Sequence, residues 1–184
     1  MRDQKKWGKS LLRAVLLTVV LAALTIGMMG CGETPTLLSS SDGTKTDGKT
    51  ENSVFGVGDT VELGDTVVRF VGITESNGSA YNKPEDGMVY LLCEFEIANN
   101  GEDELNVSSM MSFETYCDDY SCSISFGALT EKGNKEQLDG TVAAGKKMNG
   151  VVGYEVTAEW EELEIHYTPD LLSGKEIVFK ATNS

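Results

Sequence analysis

Residues 88–98 read MVYLLCEFEIA, and the stretch alternates. Val89, Leu91, Cys93, Phe95 and Ile97 point one way; Tyr90, Leu92, Glu94 and Glu96 point the other. Successive side chains of an extended chain face opposite sides, so this pattern predicts a strand with one buried face. Residues 162–168 repeat the scheme, with Leu163, Ile165 and Tyr167 inward and Glu162, Glu164 and His166 outward. Runs rich in Val, Ile, Phe and Tyr recur over 58–63, 66–75, 104–116, 121–126, 147–156 and 175–181, punctuated by Gly, Asn and Asp. Helical character is confined to single turns over 135–139 and 169–173. Residues 54–184 are therefore expected to form an all-β domain. Long antiparallel strands with a polar face favour an immunoglobulin-like antiparallel β-sandwich of about 7–8 strands.

The N-terminus has a different texture. Arg2, Lys5, Lys6, Lys9 and Arg13 stand against one acid, Asp3, and residues 14–29 carry no charge. A basic start followed by a short apolar run is the layout of an export signal. The run is shorter than the ~20 residues of a spanning helix, although counting on to Gly32 leaves a retained anchor open. The run ends in Gly30-Cys31-Gly32. The segment resembles a bacterial lipoprotein signal peptide, with Met28 where such segments usually carry Leu. The resemblance implies cleavage after Gly30 and a diacylglycerol on the Cys31 thiol. Residues 1–30 are then the signal peptide. The mature protein is expected at the cell membrane, lipid-anchored and facing the extracellular side.

Residues 31–53 follow as a lipidated Cys and a tether. Residues 32–53, GETPTLLSSSDGTKTDGKTENS, are rich in Ser, Thr and Gly, and only Leu37 and Leu38 are large and apolar. Such a segment buries too little to offset its ordering entropy and is expected to be a flexible linker. Its coil span would be about 23–28 Å.

The whole chain has 15 bases and 29 acids, net −14. The signal segment holds five of those bases and one of the acids, which leaves 10 and 28, net −18, on the mature chain. An acidic surface offers no electrostatic footing on nucleic acid, so no nucleic-acid partner is expected.

From about Gly56 to Lys180 the chain resembles a family of bacterial surface-lipoprotein domains of unknown function. The stretches that carry the likeness are VGDTVELGDTVVRFVGI, GMVYLLCEFEIANNGEDELNV, LDGTVAAGKKMNGVVGYEV and LEIHYTPDLLSGKEIVFK. The family is similar to a secreted mycobacterial immunogenic protein, and the resemblance implies an immunoglobulin-like sandwich. It carries over no catalytic or ligand residues. A telomeric-repeat-binding label sometimes attached to such domains finds no support in this acidic sequence.

With Cys31 assigned to lipid, Cys93, Cys117 and Cys122 remain. Cys93 lies on the apolar face of its strand and is expected to be a core thiol. Cys117 and Cys122 bracket Asp118-Asp119-Tyr120-Ser121. A two-residue turn at Asp119-Tyr120 would set them opposite each other, about 4.5 Å apart between Cα atoms, as a disulfide candidate. Free thiols, a redox couple and half a metal site are the alternatives.

Acids gather at Glu85-Asp86, Glu102-Asp103-Glu104, Asp118-Asp119 and 159–164. Calcium takes six to eight oxygen ligands, and loops could supply them, but no D-x-[DN]-x-[DN]-G loop occurs. No metal residues are assigned. The single histidine, His166, is expected to be exposed, and with no G-x-S-x-G elbow nothing points to an enzyme or a cofactor. Tyr81 in the polar loop 76–86 and Trp160 among acids are the binding-loop candidates, with capping of the sandwich as the plainer role. The stretch 127–140 is a second candidate surface.

The sequence thus predicts a non-enzymatic, lipid-anchored extracytoplasmic binding or accessory domain. It would contact a protein, peptide or cell-wall component, and reach the membrane through Cys31. The alternative is a lipoprotein that binds calcium or a small ligand.

Overall fold

The structure, a computed structural model, describes residues 34–40 and 53–183. The signal segment 1–30, the lipidation candidate Cys31 and linker residues 41–52 lie outside the described residues.

Two five-stranded sheets pack face to face. One runs β1 (Thr36–Ser39), β3 (Thr60–Leu63), β4 (Thr66–Ser76), β5 (Met88–Asn99) and β10 (Lys147–Thr157) across the sheet. The other runs β2 (Val54–Phe55), β12 (Lys175–Thr182), β11 (Glu162–Asp170), β7 (Phe113–Cys117) and β8 (Tyr120–Cys122). A two-stranded ribbon joins β6 (Leu105–Ser108) to β9 (Asp139–Val142). Every pairing is antiparallel except β2 beside β12. This is the immunoglobulin-like sandwich read from the alternation. Among the described residues twelve strands appear in place of seven or eight, the extra ones being short edge pieces. No helix among them is long and apolar enough to cross a membrane.

The two inner faces make the core. Val89, Leu91, Cys93, Phe95 and Ile97 of β5 meet Leu163, Ile165 and Tyr167 of β11 there, as the alternation required. Phe70 stacks on Phe95 with ring centroids 4.6 Å apart, and Phe179 sets its edge against both at 5.7 Å. Offset and edge-on arrangements suit the ring quadrupoles, and each buried ring adds roughly 1.5–3 kcal/mol of apolar transfer.

The outer face of β5 departs from expectation. Tyr90 and Leu92 are only 3% and 4% exposed. The cause is a single helical turn, α1 (Phe126–Thr130), laid across β5 and β10 and followed by the segment 131–138. Leu92, Leu129 and Val151 form a small second cluster beneath it. Ser125 caps the turn by accepting from the Ala128 amide at 3.1 Å. Gly153 permits the close approach, since a Cβ there would stand 2.9 Å from that of Ala128. Lys135 pairs with Glu94 and pins the segment to the sheet. The stretch 127–140 is thus a cover whose Ala128, Leu129 and Leu138 are buried, rather than a free loop.

Two further differences have local causes. The single strand read over 104–116 breaks into β6 and β7, because Ser108 and Ser112 close a turn between them: the Ser112 amide donates to the Ser108 carbonyl at 2.8 Å. Within the stretch read as linker, Thr36–Ser39 pairs with β3, Thr36 facing Glu62 and Leu37 facing Val61. Leu37 packs against the core, so one of the two leucines of an otherwise polar segment is what seats it.

Candidate functional site

The β7–β8 hairpin, the end of β10 and the start of β5 meet at one end of the sandwich. There Cys117 faces Leu163, and Thr157 faces Met88. Between them lies a cleft of about 590 Å³, lined by Met88, Cys117, Tyr120, Cys122, Ile124 and Val156, with Asp118 and Glu155 as its charged members. The volume falls within the usual range for ligand sites, and the mix of apolar walls with a few polar groups is their usual chemistry. Tyr120 stands exposed at the rim. β8 is the outermost strand of its sheet, so its outer backbone edge borders the cleft without a strand partner.

The hairpin turn sits one residue earlier than the sequence suggested. Asp118 and Asp119 both have positive φ, 49° and 67°, and form the two-residue turn. The ladder then pairs Cys117 with Tyr120 and Thr115 with Cys122. Cys117 and Cys122 consequently share a face on a diagonal instead of standing opposite each other. The Cys117 thiol donates to Asp118 at 3.9 Å and the Cys122 thiol to the Tyr120 carbonyl at 3.5 Å, and Cys93, Cys117 and Cys122 are all free thiols in the structure. Burial, with the neighbouring Cys122 and Asp118, pushes the Cys117 thiol up to about 12. Burial likewise raises Cys93 and Cys122. None of the three is a ready thiolate. Asp118 holds the turn in place by accepting from the Glu162 and Glu161 amides at 2.8 and 3.0 Å.

The loop between β4 and β5 borders the same end. Asn82 fixes it, donating to the Gly127 carbonyl at 2.9 Å and to Glu131 at 2.6 Å. The Glu155 carboxylate accepts from the Glu85 amide at 2.7 Å. Tyr81 is left fully exposed at the loop tip. Trp160, the other aromatic candidate, is instead 5% exposed and part of the core. Its indole nitrogen donates to Glu75 at 3.3 Å, so it caps the sandwich and cannot serve as a surface anchor.

His166 lies away from the cleft, on the outer face of β11, and is half-buried rather than open. Its Nε2 meets Glu164 at 2.7 Å, its Nδ1 meets Glu176 at 3.0 Å, and the Tyr116 ring stands edge-on at 5.8 Å. Burial works against the imidazolium, but the two carboxylates prevail and raise its pKa. Lys180 bridges Glu162 and Glu164 at 2.7 and 2.8 Å. Hydrogen bonds from Lys180 and then His166 lower the Glu164 carboxyl. Among the described residues no group of three or more His, Cys, Asp or Glu is arranged to hold a metal ion.

Comparison with known proteins follows the fold. A family model described as a domain of unknown function (DUF4352) matches residues 55–177. No curated protein matches the chain. The structure of ycdA from Bacillus subtilis, assigned as a lipoprotein, is 26% identical with a TM-score of 0.53. The match covers 64% of this chain and 36% of ycdA, so it spans about a third of that protein. The yjhA protein of Bacillus subtilis is 20% identical over 68% of this chain and 97% of its own, with a TM-score of 0.53, a likeness of fold.

Proposed function

We propose that this chain, which belongs to the DUF4352 family, is a non-enzymatic binding module that offers the β7–β8 cleft to a protein, peptide or cell-wall component. The observation that carries the reading is the cleft itself: apolar walls, an exposed Tyr120, and the open edge of β8 at one end of a rigid sandwich. Aromatic side chains beside a desolvated pocket are the usual anchors of an interface, and an open strand edge supplies backbone donors and acceptors to an extended partner. Against catalysis stands the chemistry of the lining. Its best nucleophile, Cys117, is held protonated, and no histidine lies beside it.

The lipid anchor belongs to the same proposal. The basic, apolar, Gly-Cys-Gly start supports lipidation at Cys31 and display outside the cell, and the lipoprotein relative ycdA supports it further. Cys31→Ala is expected to abolish maturation, and normal processing of that variant would refute the anchor. For the cleft, a photo-reactive residue is placed at Tyr120 or, as a control, at exposed Thr141, in the full-length protein on intact cells. A discrete adduct from Tyr120 only is expected. Surface-displayed protein that gives no adduct from Tyr120 would remove the cleft as the binding surface.

A further inference from the structure

The end of the sandwich opposite the cleft is where the chain enters. Thr36, the first residue of β1, pairs with Glu62, next to the β3–β4 turn at Gly64-Asp65. The β11–β12 turn of the second sheet closes on the same end, because Leu63, Gly64 and Asp65 line one cavity with Pro169, Asp170 and Ser173. Four residues lie between Cys31 and Thr36, and the five Cα-to-Cα steps reach at most about 16–18 Å fully extended. A lipid on Cys31 therefore holds this end, and not the cleft end, close to the membrane.

The same end carries four large apolar side chains on its surface. Leu172 is 98% exposed and Leu171 52%. Met110 and Met111, 69% and 67% exposed, lie on the β6–β7 turn. That turn adjoins the leucines, since the Thr168 amide donates to the Ser112 carbonyl at 2.9 Å. The leucines do not build their turn. Asp170 does, accepting from the Leu172 amide at 2.9 Å and from the Ser173 hydroxyl at 2.9 Å, with Gly174 at φ 64°. Polar residues would serve as well there, so four large apolar side chains directed away from the core require another occupant.

We infer that this end docks on the lipid bilayer, Met110, Met111, Leu171 and Leu172 entering the headgroup–acyl boundary. The inference rests on the lipid anchor proposed at Cys31. Side chains of this kind settle about 5–10 Å into that boundary. Asp65, acids 102–104 and Asp170 outnumber Lys146, Lys147 and Lys175 at this end, so apolar contact, not charge, selects the surface. The cleft then points away from the membrane.

The test uses the lipid-modified mature protein in phosphatidylcholine and phosphatidylglycerol vesicles with brominated acyl chains. Trp160, buried near the far end, is the mature chain's only native tryptophan and serves as the internal control. Emission from Leu172→Trp is expected to shift to the blue and to be quenched by bromine in both lipids, with Trp160 of the unaltered protein unaffected. Protein that floats with vesicles while Leu172→Trp stays unquenched would overturn the docking and leave the anchor standing. A blue shift without quenching would mean that a protein or a second copy covers the tip, and would equally overturn it. Failure to float at all would refute both readings.

Discussion

The Thr115 hydroxyl on β7 donates to the phenol oxygen of Tyr154 on β10 at 2.7 Å, a buried hydrogen bond that crosses from one sheet to the other. It lies in the interior near the strands that frame the cleft. Tyr154→Phe strips the partner from a buried hydroxyl and is expected to destabilise by about 1–3 kcal/mol. Adding Thr115→Val should recover part of that loss, because both polar groups are then gone. Urea unfolding of the two single variants and the double variant measures the coupling, and simple additivity would show that the bond contributes nothing.

Tyr167 gives the opposite expectation. Its hydroxyl is buried and, among the described residues, without a hydrogen-bond partner. The folded state therefore bears the desolvation of that group with no return. Tyr167→Phe is expected to leave stability unchanged or raise it by up to about 1 kcal/mol. A clear loss in the same urea experiment would mean that the hydroxyl has a partner in solution.

His166 makes stability depend on pH. Its folded pKa is raised by Glu164 and Glu176 despite partial burial. Its contribution is complete below the unfolded value of ~6.5 and is lost as pH rises through the folded value. The melting-temperature difference between wild type and His166→Ala should be largest at pH 6 and below, and should shrink toward pH 8. Glu164 runs the other way: its lowered carboxyl contributes above the unfolded value of ~4.3, and that contribution fades as pH falls. A difference that is flat between pH 5.5 and 8 would show that the imidazolium is not stabilised by its carboxylates.

The thiols can be counted. The diagonal register places Cys117 and Cys122 farther apart than a relaxed disulfide wants, so the hairpin would have to shift to close one. Without reductant, denatured mature protein is expected to take up three alkyl groups by intact mass. Under native conditions only half-exposed Cys122 should react, and slowly, Cys93 and Cys117 being buried. One adduct on the denatured protein would show that two of the three are bridged.

What was legible in the sequence was periodicity. Leu163, Ile165 and Tyr167 on β11, and the odd-numbered residues of β5 from Val89 to Ile97, are all in the core because period two leaves one face to bury. Alternation alone puts Tyr90 and Leu92 on the solvent side, because no local signal announces that α1 returns to cover them; that contact joins residues more than thirty positions apart. The cleft was hidden for a related reason. Its lining comes from the start of β5, the β7–β8 hairpin and the end of β10, which only the sheet topology brings together. The hairpin register turned on one residue. Asp-Asp is an uncommon choice for a turn that usually takes Asn-Gly, so sequence alone placed the loop one step late. The stretch 127–140 reads as a surface loop, yet Leu129 and Leu138 are buried beneath it, and its deletion would expose Leu92 and Val151.

The pairing of β1 with β3 turns part of a polar, coil-like segment into a strut. With Thr36 fixed at one end and the cleft at the other, β5 sets the spacing between them: twelve residues, or about 40 Å. A strut of fixed length holds the cleft at one distance from Thr36, where a free coil would spread it over many. Insertions on the two sides of β1 should then be unequal in effect. For a chain tethered at Cys31 as proposed, extra residues before Thr36 lengthen the tether; the same number added between Ser40 and Ser53 leaves the distance from Thr36 to the cleft where it was.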